Sequence, residues 1–294
     1  MATITNYFEE AQLSLAAYAF DLQAGMSSSN QTSAYIDKLK FAGMSDAQAT
    51  KFSAAYTVVD QFTDPATGFS GTVFSKGGAY YFALRGTEGF DPTDWATNFG
   101  DIGADGIAIA QGVALSNWLQ RLMTPAGSPA QQFKYVPEVV DDDMGVFIPA
   151  SIIAIDPVAS LGYLSGASGF TVAGHSMGGH LAMLMSRLAP SLVGSVYTYN
   201  APGFDPILVS PGSSGFFDLL RTAAGTPVTG PIGTGWNGNS MSHLNVPGDI
   251  VSGVGNTPGN EQTLFSESAN QEPLDAHDKV PLTNALALAW GLAA

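Results

Sequence analysis

The sequence predicts an α/β protein: a mostly parallel central sheet with helices on both faces and a helical segment at its N-terminus. Three observations carry this expectation. Helical spacing dominates roughly the first sixty residues, short β-forming runs then alternate with apolar-faced helices, and a glycine-rich turn joins strand to helix near the middle of the chain. The 294 residues are long for one domain but ordinary for a large single-sheet α/β protein, and long enough to bury a sizeable core. Hydrophobic residues make up 45% and charged ones only 12%, which describes a folded globule and not a disordered chain.

The elements follow in order. Ile4, Phe8, Ala11, Leu15, Tyr18 and Leu22 recur at three- and four-residue steps and define one face of a helix. Ser45 with Gln48 resembles a capping box that opens a helix carrying Phe52, Tyr56 and Val59. Asp64-Pro65 and Thr67-Gly68 mark a turn. Residues 70–75 and 79–84 read as a hairpin around Lys76-Gly77-Gly78. Residues 104–123 read as a helix, with Ile109, Val113, Leu119 and Leu122 apolar. A short strand, 169–173, feeds a glycine-rich turn, and Leu181, Leu184, Met185 and Leu188 give the apolar face of the helix after it. Residues 194–199 are rich in β-formers. From Asn200 to Gly248 the chain reads as loop, apart from a strand at 243–246 that ends at Gly248-Asp249. A closing helix spans 281–292, with Pro281 in its first turn. There is no internal repeat and no convincing linker, so residues 1–294 are expected to form one domain: a helical segment at 1–64 and the sheet at 65–294.

Composition excludes several classes of partner. The net charge is −15, from 25 acidic against 10 basic residues, so no large basic patch exists and nucleic acid is not expected as a partner. An anionic membrane surface would repel the molecule as a whole, while neutral or apolar substrates stay open. With no cysteine, disulfides and thiolate-bound metals are excluded. The first ten residues lack the basic and apolar regions of a conventional signal peptide, which leaves the cytoplasm or secretion without such a signal. The charge-free stretch from Pro157 to Ser186 is broken by Gly, Ser and His, and no integral membrane segment is expected. The oligomeric state is not legible.

The chemistry centres on Gly174-His175-Ser176-Met177-Gly178. A Gly-x-Ser-x-Gly run is weak alone. Here a strand, Phe170-Thr171-Val172-Ala173, leads in and an apolar-faced helix leads out, which is the setting of a nucleophile elbow in an α/β-hydrolase fold. Ser176 is the candidate nucleophile. The helix that starts behind it favours developing negative charge.

Four segments together resemble the class 3, fungal-lipase-like lipases and, more closely, bacterial lipases of subfamily I.3. They are residues 82–87 (Phe-Ala-Leu-Arg-Gly-Thr) followed by Asp94-Trp95 and Asn98; the Ser176 motif; residues 197–203 (Tyr-Thr-Tyr-Asn-Ala-Pro-Gly); and residues 245–251 (Asn-Val-Pro-Gly-Asp-Ile-Val). The subfamily I.3 lipases carry a glycine-rich calcium-binding repeat toward the C-terminus, and these 294 residues contain none. The resemblance implies a serine ester hydrolase acting on acyl glycerides or related lipid esters, with a lipid or small ester as partner and a possible lipid–water interface. Short-chain esterase, phospholipase A1, polyester hydrolase and an inactive hydrolase fold used for binding are the rival readings. The chemistry requires no cofactor and no metal.

Such a fold orders its residues as nucleophile, acid, base. Of the four histidines, His175 adjoins the serine and its ring is expected to point away, and His180 sits one helical turn on. That leaves His277, the only histidine after Asp249, as the expected base, with His243 as the alternative. Asp249 follows a predicted strand and matches the resembled position for the acid, with Asp205 as runner-up. The expected oxyanion donors are the backbone N–H of Met177 and a donor at Thr87. Two apolar segments are candidates to cover the site. One is Trp95 and Phe99 with the helix holding Ile107, Ile109, Val113, Leu115, Trp118 and Leu119, which reads as a helix buried on the sheet ahead of a lid; the other is Phe216, Phe217, Leu219 and Leu220. Asp141-Asp142-Asp143 reads as a solvated acidic turn before a calcium site.

Overall fold

The structure is a computed structural model that describes residues 2–86, 107–141, 146–204, 213–225, 238–265 and 276–293. Thr87, Asp94, Trp95, Asn98, Phe99, Asp142, Asp143 and Asp205 lie outside the described residues.

Three helices open the chain: α1 (Ile4–Ala16), α2 (Thr32–Phe41) and α3 (Asp46–Ala55). Thr3 caps α1 and Ser45 caps α3 by reciprocal capping boxes, with Asn6 and Gln48 as the returning side chains. The third helix is shorter than its spacing predicted. Tyr56 already has extended backbone, and Val59 lies in strand β1 (Thr57–Asp64), because the run Thr57-Val58-Val59 is β-branched and pairs with the next strand. Then come β2 (Phe69–Lys76) and β3 (Ala79–Leu84), joined antiparallel through Gly77 and Gly78. Both glycines have positive φ, 60° and 83°, as a two-residue hairpin turn requires.

The chain continues through α4 (Ile109–Met123), β4 (Pro129–Val136), β5 (Val139–Asp141), β6 (Val146–Ile148) and β7 (Ser151–Ala159). Strands β4 and β7 pair with each other, as do β5 and β6, outside the main sheet. There follow β8 (Phe170–His175), α5 (Met177–Leu188), β9 (Val193–Tyr199), α6 (Ser213–Ala223), β10 (Met241–Asn245), β11 (Asn260–Thr263) and α7 (Lys279–Ala293). No helix among the described residues is long and apolar enough to cross a membrane.

The main sheet has seven strands in the order β1-β2-β3-β8-β9-β10-β11. From β3 to β11 every pairing is parallel; β1 and β2 form an antiparallel edge. This mostly parallel sheet, with helices on both faces and a serine at the turn from β8 to α5, is an α/β-hydrolase fold. Alternation along the strands divides the core. Phe82, Leu84 and Val172 join the cluster packed by α4, α5 and α6, whereas Ala83 and Ala173 join the one packed by α1, α2 and α3. A third cluster unites α1, β9, β10 and α7 through Tyr7, Tyr199, Leu244 and Leu286. Ile107, just ahead of α4, and Val113, Leu115 and Trp118 on it are buried, and Trp118 also donates from its indole N–H to Asp60 at 2.7 Å. The described part of the first covering segment is therefore a helix buried against the sheet. Phe216, Phe217 and Leu220 of the second are equally buried, on α6 and not in an open loop.

Candidate active site

The parallel strands end together on one side of the sheet, and the candidate residues gather there. Ser176 occupies the turn between β8 and α5 with φ 58° and ψ −131°. A non-glycine residue in that region costs about 1–3 kcal/mol and persists only where its surroundings hold it. Here the Ser176 N–H bonds the Tyr199 carbonyl on the next strand. Close approach makes the turn possible: a Cβ on Gly178 would collide with the Leu84 carbonyl, and one on Gly174 with the backbone of Gly178. The small residues of the motif are a steric necessity of strand, turn and helix packed at this separation.

Asp249 is delivered by Val246-Pro247-Gly248-Asp249, a turn closed by the Asp249 N–H on the Val246 carbonyl. Pro at its second position and Gly248 at φ 88° in its third are the signature of a type II turn. The carboxylate is fully buried although its backbone meets solvent. One oxygen accepts the Ser252 N–H at 2.8 Å. The other lies 2.7 Å from Nδ1 of His277, which enters just before α7. Nε2 of the same ring lies 2.8 Å from Ser176 Oγ. The structure thus brings Ser176, His277 and Asp249 into one hydrogen-bonded row, with serine and histidine both buried. With Nδ1–H donated to the carboxylate, Nε2 faces the Ser176 hydroxyl as an acceptor.

The other histidines are elsewhere engaged. His243 is buried in β10, with Nδ1 2.6 Å from the Thr198 hydroxyl and Nε2 2.6 Å from the Pro258 carbonyl; burial pushes its pKa down. His180 bridges the Ala108 N–H and the Gly203 carbonyl. His175 departs from expectation. Its ring does not simply point away: it packs 4.7 Å from the His277 ring, centroid to centroid, and Nε2 lies 2.6 Å from the His277 carbonyl. The Tyr18 hydroxyl, from the turn after α1, lies 3.3 Å from its Nδ1. Complete burial holds the His175 pKa well below the usual histidine range, aided by the neighbouring His277 and Lys279, so the ring is neutral.

Met177, the first expected oxyanion donor, begins α5 and is buried next to the serine; Thr87, the second, lies outside the described residues. Two residues that sequence reasoning gave no role also reach the site. Gly86 packs against Ser176, and the Asn200 side chain bonds both the Ala276 carbonyl and the Val246 N–H. Asn200 stood inside a resembled segment, but its partners lie 76 and 46 residues away, beyond any local pattern. Among the described residues no group of three His, Asp or Glu side chains is placed to hold a metal ion.

Among solved structures, the chain is similar to fungal lipases. Lip2 lipase from Yarrowia lipolytica is 14% identical, with 89% of this chain and 79% of that one covered at a TM-score of 0.43. A triacylglycerol lipase from Penicillium expansum is 15% identical, with 93% and 81% covered at 0.41. A triacylglycerol lipase described as having a serine protease triad at its catalytic centre is 14% identical, with 97% and 98% covered at 0.40. No family model matches the chain, and no curated protein matches it in sequence.

Proposed function

We propose that this protein is a serine carboxylic-ester hydrolase of lipase type, cleaving acyl glycerides or related lipid esters through an acyl-enzyme on Ser176. The observation that supports this reading most is the row Asp249–His277–Ser176, at 2.7 and 2.8 Å, ending on a serine of strained backbone. In the first step His277 Nε2 takes the Ser176 proton as Oγ attacks the ester carbonyl. The oxyanion is held by the Met177 N–H and by a donor at Thr87. His277 then hands its proton to the departing alcohol. Water, deprotonated by the same nitrogen, attacks the acyl-enzyme, and the imidazolium returns that proton to Ser176 Oγ as the acid is released. Asp249 holds the Nδ1–H tautomer and stabilises the imidazolium without itself taking the proton. The four segments that resemble class 3 and subfamily I.3 lipases motivate the lipid ester as substrate.

A fluorophosphonate probe tests the reaction type. Intact-protein mass should rise by one adduct in the wild type and not in Ser176→Ala; equal labelling of the two would reject the nucleophile. A series of esters of increasing acyl length, soluble and emulsified, tests the substrate class. Rates that hold or rise with chain length and increase at an interface support a lipase. A steady fall above short chains would replace it with a short-chain esterase.

A further inference from the structure

A reactive row of this kind is only as good as the backbone that presents its histidine. His277 reaches Ser176 and Asp249 at once, from a short stretch of chain ahead of α7. Two consecutive carbonyls of that stretch are gripped by buried side chains from the sheet. The Ala276 carbonyl accepts from Asn200 Nδ2 at 2.9 Å, and the His277 carbonyl accepts from His175 Nε2 at 2.6 Å. Asn200 follows the end of β9 and His175 ends β8, adjacent parallel strands in which His175 pairs with Tyr199. Both grips therefore come from the sheet end that presents Ser176.

Asn200 does more than hold the base. Its Oδ1 accepts the Val246 N–H at 2.8 Å, and Val246 opens the turn whose last residue is Asp249. One planar amide thus bonds the turn of the acid through its oxygen and the turn of the base through its nitrogen. Its backbone is left-handed, φ 47°, and the residue is wholly buried. Asparagine meets all of these demands together. It tolerates that backbone better than most residues, and it carries donor and acceptor on one short side chain. Aspartate lacks the donor when ionised, and glycine lacks the side chain.

We infer that Asn200, assisted by His175, is a positioning residue that sets the spacing of acid and base by clamping both of their turns. This rests on the hydrolase reading of the same site. Near-attack geometry is sensitive enough for a small displacement of the base to cost up to about 10²-fold in rate.

The test compares Asn200→Asp, close in volume but without the amide donor, with Asn200→Gly, which accepts the backbone and deletes both bonds. Three readings are taken: kcat and KM on a soluble p-nitrophenyl ester, the rate of fluorophosphonate labelling at Ser176, and the far-downfield proton NMR line of the Asp249–His277 hydrogen bond. We expect kcat and the labelling rate to fall about 10- to 10²-fold together, KM to stay within about twofold, and the NMR line to weaken or vanish. Folded variants with wild-type kcat and an unchanged NMR line would overturn the inference. Failure of both variants to fold would also overturn it, by assigning the amide to stability and not to the setting of the base. A wild type that the probe does not label would overturn the hydrolase reading instead, and the NMR line, which needs no turnover, would still report on the clamp.

Discussion

Gly86 is where side-chain volume and the candidate chemistry meet most closely. A Cβ there would stand 2.6 Å from the His175 carbonyl oxygen, 2.6 Å from the Tyr18 hydroxyl and 3.1 Å from the Ser176 Cβ. The Tyr18 hydroxyl ends a side chain that can shift, but the other two cannot withdraw cheaply, since the carbonyl is backbone of β8 and the serine is fixed in its turn. Gly86→Ala should therefore displace Ser176 from His277, and kcat should drop by about 10² or more while the far-ultraviolet circular dichroism stays native. Wild-type turnover in that variant would show that the turn yields more readily than its packing implies. The histidines separate in the same way. His277→Ala should abolish turnover. His243→Ala should retain it at a stability cost of about 1–3 kcal/mol for the hydrogen-bonding partners left behind, the buried Thr198 hydroxyl and the half-buried Pro258 carbonyl, measured by urea unfolding. Ser176, Asp249 and His277 were legible because a motif and a fixed chain order point to them. Asn200, His175 and Gly86 were not assigned these roles. Asn200 and His175 act on backbone groups of distant segments, and Gly86 acts by having no side chain.

At the scale of the element, legibility tracked the strength of the local signal. The capping box of α3, the hairpin from β2 to β3 and the turn from β8 to α5 carry their own chemistry in adjacent residues, and they formed as expected. Strand β11, Asn-Glu-Gln-Thr, was invisible because an exposed edge strand needs no apolar alternation. The paired strands β4 and β7 were missed for a related reason: most of β7 faces outward, so its residues obey no burial period. Helix α1 carries a titrating group that its apolar spacing does not announce. Glu10 is buried near Tyr56, Tyr81, Tyr197 and Tyr199, and desolvation, with Glu9 adding to it, pushes its pKa up to about 8. The folded state therefore holds this proton above the unfolded value of 4.5. Its stabilising effect is complete below that value and is lost as pH rises toward 8 and beyond. His175 and His243, both pushed down by burial, act in the opposite sense and weaken the fold as pH falls below about 6.5. Above pH 7 the glutamate acts alone among these three. Wild type should lose on the order of 1 kcal/mol between pH 7 and pH 9 relative to Glu10→Gln, read from thermal unfolding of the two proteins. Parallel pH dependences would mean that Glu10 is ionised in the fold.

For the whole molecule the question is whether the helical N-terminal segment is an accessory or part of the working unit. Its apolar residues are not self-contained. Leu13, Leu15, Tyr35, Leu39 and Phe52 share one buried cluster with Phe74 of β2, Ala83 of β3 and Ala173 of β8. The turn after α1 also supplies Tyr18 to the His175 ring, while Tyr7 accepts the Tyr199 hydroxyl on its carbonyl at 2.7 Å. Removing residues 1–56 would bare one face of the central strands and leave His175 without a partner on Nδ1. Each large side chain stripped of its cover loses about 1.5–3 kcal/mol, and several such losses exceed the margin of a typical fold. One cooperative unit spanning the chain is therefore proposed. Urea unfolding followed by tryptophan fluorescence, circular dichroism and ester hydrolysis should give a single coincident transition, and residues 57–294 alone should not fold. A stable, active 57–294 fragment, or a first transition that melts α1 to α3 while hydrolysis persists, would divide the molecule at Tyr56 and make the N-terminal helices a separable cover.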